Sequence, residues 1–68
     1  MHYAIVIEKA EGDYSAYAPN LPGCVTTGAT IKEVEQNMKE AITLHLEGVR
    51  EEGLPVPDST TNCEYIEA

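Results

Sequence analysis

Apolar residues fall along this chain in two rhythms. Over Tyr3 to Ile7 they run almost without a break and are rich in β-branched types, the pattern of a central strand. Glu11-Gly12-Asp13 is a turn signal, and Tyr14 to Ala18 reads as a second strand in a hairpin with the first. Pro19 stops it, because proline has no N–H to give to a ladder. Gly23 to Thr27 is a third strand, ended by Gly28. From Ile31 the period becomes helical: Ile31, Val34, Met38, Ala41, Ile42, His45 and Val49 share one stripe. Thr30 and Glu33 form a capping box, in which the Thr30 hydroxyl accepts from the Glu33 N–H and the Glu33 carboxylate accepts from the Thr30 N–H. The helix is expected over Ile31 to Glu52, stopped by Gly53 with Pro55 and Pro57 behind it. Asn62 to Ile66 alternates as a last strand, reached through the stiff connector Pro55 to Asp58.

The element order β-β-β-α-β predicts an α+β fold. Three strands form an antiparallel meander. A right-handed crossover through the helix would lay the last strand parallel to the first, for a strand order of 3-2-1-4. One sheet face meets the helix and the other stays bare. With 68 residues the chain is read as one domain, 1–68. A domain of this size buries only about 60% of its unfolded surface, and no cysteine or metal framework is evident to staple it. A homo-oligomer, a dimer or tetramer, or a protein partner is therefore expected. The candidate interface residues are Ala4, Val6 and Ala16 on the bare face, with Cys24 beside them, and Leu44, which lies nearly opposite the helix stripe.

Charge narrows the partners. Twelve acidic residues against four basic ones give a net charge of -8. Such a surface is repelled by phosphate backbones, so direct nucleic-acid binding is not expected, and a basic protein partner suits it. No apolar run is long enough to cross a membrane, and the first residues read as a strand and not as a signal peptide. The expected location is cytoplasmic, with Cys24 and Cys63 as reduced thiols.

Catalytic signatures are absent from the sequence. There is no phosphate-cradling glycine loop, no Gly-x-Ser-x-Gly, no Cys-x-x-Cys and no His-Glu-x-x-His, and no cofactor is expected. His45 falls on the apolar stripe and His2 at the terminus. Cys24 has no neighbouring base to make it a nucleophile and reads as a packed strand residue. A sheet of this order with one helix is half of a ribonuclease-H-like layout, whose nucleases hold two metal ions on carboxylates from the first strand, the helix and the fourth strand. The carboxylates on offer are Glu8, Glu33, Glu35, Glu40 and Glu64, and they do not converge: Glu33 is a cap and Glu35 pairs with Lys39 in solvent. The reading is a protein without enzymatic activity; a relict metal-dependent nuclease is the alternative it displaces.

One run carries a resemblance. Tyr17-Ala18-Pro19-Asn20-Leu21-Pro22-Gly23-Cys24, followed by Thr27-Gly28-Ala29-Thr30-Ile31-Lys32-Glu33, resembles the HicB-type antitoxin signature, and Ala41 to Pro57, closing on Gly53-Leu54-Pro55-Val56-Pro57, is similar to the end of the same domain. Asn20 and Ala29 stand where aspartate is frequent in that family. The resemblance implies a degenerate ribonuclease-H-like fold and a HicA toxin as partner, a small basic ribonuclease, which the antitoxin would sequester without catalysis. It covers the toxin-facing domain; the DNA-binding region that HicB antitoxins usually add after it is expected to be missing here. A solitary, self-associating HicB-like protein that binds something else is the second reading.

Overall fold

Residues 2–68 are described by a computed structural model. Three strands and one helix form, in the order β1 (Val6–Ala10), β2 (Asp13–Tyr17), β3 (Val25–Gly28) and α1 (Ile31–Glu51). The sheet runs β1-β2-β3 with both pairings antiparallel, the meander expected from the sequence. β1 starts later than the apolar run suggested. Its ladder closes at Ala10↔Asp13 beside the turn and ends at Val6↔Tyr17. Beyond Tyr17 the chain turns at Pro19, so residues 3–5 find no partner on β2.

The alternation of the strands sorts two faces. Ile7, Tyr14 and Ala16 point toward the helix, and Ala16 is buried with Val34 and Met38 of α1. Val6, Tyr17 and Val25 form a row across the opposite, bare face, with Glu8, Ser15 and Thr27 as the next row. Tyr17 is 42% exposed and Val25 66%.

Helix α1 lies over β3 and β2. Its 21 residues span about 31 Å, whereas a five-residue strand spans about 17 Å. Only the first half therefore sits on the sheet, which is why Val34 and Met38 are buried while Ala41, Ile42, His45, Leu46 and Val49 are half-buried. Leu44 stands out at 68% exposure on the far side, as its position off the stripe required.

Among the described residues there is no fourth strand, which corrects the expected order 3-2-1-4 to a three-stranded sheet. Residues 61–65 do run beside Ile5–Ile7, but a cleft of about 420 Å³ separates them. The large side chains of this segment find no surface to cover: Tyr65 and Ile66 are both fully or nearly fully exposed. With little buried, pairing does not offset the ordering of five residues at about 1–2 kcal/mol each.

Candidate protein-binding site

The Pro19–Cys24 run folds into two consecutive turns with proline at the second position of each. The Leu21 N–H donates to Ala18 O at 3.0 Å, and the Cys24 N–H donates to Leu21 O at 3.0 Å. Pro19 and Pro22 supply the fixed φ of that position. Gly23 follows Pro22 with φ +82, the left-handed value that the third position of a type II turn demands. The Ala18 N–H donates to Cys24 O at 3.2 Å and closes the loop onto the sheet. The product is a plug: Leu21 is 0% exposed, flanked by buried Ala18 and Cys24. Burial pushes the Cys24 thiol above its ordinary value. Cys24 thus belongs to the core and not to the bare face, as does Ala16 at 2% exposure, and both leave the set of interface candidates.

Asn20 sits at the outer tip of the plug and turns away from it. Its Nδ2 donates to Thr60 Oγ1 at 2.8 Å, and its Oδ1 accepts from the Thr61 N–H at 3.2 Å. The signature loop therefore anchors the segment that follows the helix. Tyr3 adds a second tie, its hydroxyl donating to Pro57 O at 2.5 Å. Neither contact was signalled by the sequence, because both cross forty or more positions.

Gly28 and the cap form the next unit. A Cβ on Gly28 would lie 2.7 Å from Val34 N and 2.9 Å from Val34 Cα, so glycine is what lets β3 meet the start of α1. The Thr30 hydroxyl accepts from the Glu33 N–H at 3.0 Å, as expected. The return bond differs: Glu33 Oε1 accepts from the Ala29 N–H at 3.2 Å, one residue earlier than a capping box places it. At the other end the Gly53 N–H donates to Arg50 O and the Leu54 N–H to Val49 O, the paired bonds of a Schellman stop, with exposed Pro55 after it.

The bare sheet face and the outer side of α1 stay open. Val6, Tyr17 and Val25 give the face an apolar row, and half-buried Ala4 precedes it. Leu44 protrudes beside Gln36, Lys39, Glu40 and Thr43. A groove of about 440 Å³ also opens where α1 leaves the N-terminal segment uncovered, with Tyr3, Ile5, Met38, Ile42 and Leu46 in it. No set of three or more histidine, cysteine, aspartate or glutamate side chains among the described residues comes together to hold a metal ion. Cys24 and Cys63 are both free thiols.

Sequence comparison decides the family. A sequence model of the HicB-like antitoxins of bacterial toxin–antitoxin systems matches residues 3–68. The chain belongs to the HicB-like antitoxin family. A 14.9 kDa protein of Haemophilus phage HP1 is 41% identical over 66 residues, covering 97% of this chain and 50% of the phage protein. The chain thus spans half the length of that relative. A UPF0150 protein of Thermoplasma acidophilum is 41% identical over 67 residues, covering 97% of this chain and 94% of its own. Among solved structures, the fold matches a chain of a HicA3 and HicB3 toxin–antitoxin complex with TM-score 0.74 and 32% identity, over 88% of this chain and 70% of that one. The α+β meander with one crossing helix is therefore the HicB-like fold. No helix among the described residues is long and apolar enough to cross a membrane.

Proposed function

We propose that this chain is the binding domain of an antitoxin and that it sequesters a small basic ribonuclease of the HicA type without catalysis of its own. The family match over residues 3–68 carries the reading. The net charge of -8 supports it, since an acidic surface attracts a basic toxin over distance and competes with the RNA that the toxin would otherwise bind. The same charge argues against direct nucleic-acid binding by this domain. The fold is organised around packing: the signature loop plugs the core, and its polar tip holds the chain's own backbone.

Self-association belongs to the same reading. The bare face has a footprint of about 250 Å² for three short strands, against the ~800 Å² per partner of a stable interface. Val6 and Ala4 alone are too few. A homodimer must draw in adjoining surface, and Leu44 on α1 and Tyr65 and Ile66 beyond β1 are the exposed apolar groups at hand.

Capture from a lysate of the native host, followed by intact mass measurement, tests the toxin reading. The expected catch is a small basic protein, released by about 0.5 M salt as screening weakens the charge attraction. Recovery of the chain with no basic protein at any salt concentration would contradict it.

A further inference from the structure

The outer edge of β3 carries backbone groups on which another chain can pair. The Ala18 N–H bonds to Cys24 O, and two positions along the ladder Ala16 and Thr26 are the next bonded pair. Val25 and Thr27 alternate with them. They therefore turn their N–H and C=O groups away from β2, to the side where the sheet has no further strand. Both residues are exposed. Asn37 of α1 donates its Nδ2 to Thr27 O at 2.9 Å. Among the described residues no hydrogen bond reaches the Val25 N–H, the Val25 C=O or the Thr27 N–H.

The Asn37 bond also fixes which flank of α1 stands over this edge. At ~100° per residue, Glu33, Glu40, Leu44, Glu47 and Glu51 all fall within about 80° of Asn37 around the helix. Lys32, Lys39 and Arg50, the lysines and arginine of α1, lie about 140–160° round from it. Lys39 accordingly lines the groove beside Tyr3 and Ile5, on the other flank. The flank above β3 is thus acidic along its length, with Leu44 68% exposed within it. That charge selects the occupant of the edge. A second copy paired edge to edge about a two-fold axis sets like flank against like flank, glutamates against glutamates. A basic segment meets the same glutamates with opposite charge.

We propose that the outer edge of β3 accepts an extended segment of a basic protein as an added strand. The segment bonds to the open backbone groups of Val25 and Thr27, and main-chain bonding of this kind supplies affinity without demanding one sequence. Its alternate side chains face α1, where Glu33 and Glu40 take lysine or arginine and Leu44 takes an apolar residue. Which protein supplies the segment rests on the toxin reading above; the edge itself is tested with a peptide, so the two fail separately.

The test is an NMR titration of the isotope-labelled whole chain with an acetylated, amidated hexapeptide of alternating lysine and valine. The Val25 and Thr27 amide signals are expected to shift along one saturable curve, while the Ile7 amide, on the opposite edge of the sheet, stays in place. A glutamate–valine peptide, and the lysine–valine peptide N-methylated at alternate residues, should each bind at least about tenfold more weakly. Glu40→Lys should weaken binding about fivefold and leave the circular dichroism of the helix unchanged. Equal binding of the N-methylated peptide overturns the proposal, because the contact then needs no ladder. So does equal binding of the glutamate peptide, a shift at Ile7 as large as at Val25, or no shift at Val25 up to the solubility limit of the peptide. Capture of a basic toxin whose complex leaves amide exchange at Val25 and Thr27 unchanged overturns this proposal and not the toxin reading. Binding of the peptide at Val25 with no basic protein captured does the reverse.

Discussion

Gly28 shows how one hydrogen atom can hold two elements together. Any side chain there meets the backbone of Val34, which cannot swing aside as a flexible side chain could. Gly28→Ala is expected to cost about 2–4 kcal/mol, measured by urea denaturation, and to shift the midpoint without changing the m-value. Thr30→Ala removes a hydroxyl that accepts at 3.0 Å and should cost about 1 kcal/mol in the same assay. The two cysteines differ at this scale as well. Cys24 is buried and its thiol is pushed up from the ordinary 9.0 by desolvation, while Cys63 is exposed. A maleimide at neutral pH should label Cys63 and spare Cys24 until the protein unfolds. Because the folded thiol holds its proton more tightly than the unfolded one, the native state binds more protons above the ordinary value. The Cys24 contribution is therefore intact below about pH 9 and is lost as pH rises from there through the folded pKa. A Cys24→Ala variant that loses stability over the same alkaline range would contradict that assignment.

Among the elements, α1 divides into a half that holds the fold and a half that overhangs it. Met38→Ala, at a position 1% exposed, is expected to cost about 2–5 kcal/mol by thermal melting monitored at 222 nm, whereas Leu44→Asp should leave the melting temperature within a few degrees. The helix was the most legible element in the sequence, because its stripe, its cap and its glycine stop agree with one another. The turns of the signature loop were legible for a related reason: proline and glycine dictate backbone angles locally. The register of β1 was not, since it depends on where β2 runs out of partners. The fourth strand was read from alternation, yet alternation alone does not provide a surface for Tyr65 and Ile66. Ala16 was placed on the wrong face for the same reason, as a one-residue difference in register exchanges the two sides of a strand. The ties from Asn20 and Tyr3 to the far end of the chain had no local signal at all.

For the whole molecule, a modest core lies beneath an acidic surface that leaves Tyr17, Val25, Leu44, Tyr65 and Ile66 exposed. The core proper comprises Ala16, Ala18, Leu21, Cys24, Val34 and Met38, which is little for 68 residues. Light scattering on the purified chain should give at least a dimer at tens of micromolar. Val6→Asp should dissociate it with helix content retained if the bare face takes part, and Leu44→Asp should do so if the helix does. A monomer mass in the unaltered chain, with a sharp thermal transition, would remove self-association from the account. The central claim is sequestration of a basic ribonuclease, and inhibition of RNA cleavage measures it most directly. A HicA-type toxin recovered with this chain is titrated with it while cleavage of a labelled RNA is followed. Cleavage is expected to fall to zero at a fixed stoichiometric ratio, and the chain alone, with or without divalent metal, is expected to leave the RNA intact. Undiminished cleavage at excess chain, or metal-dependent cleavage by the chain itself that Glu8→Gln abolishes, would contradict the account.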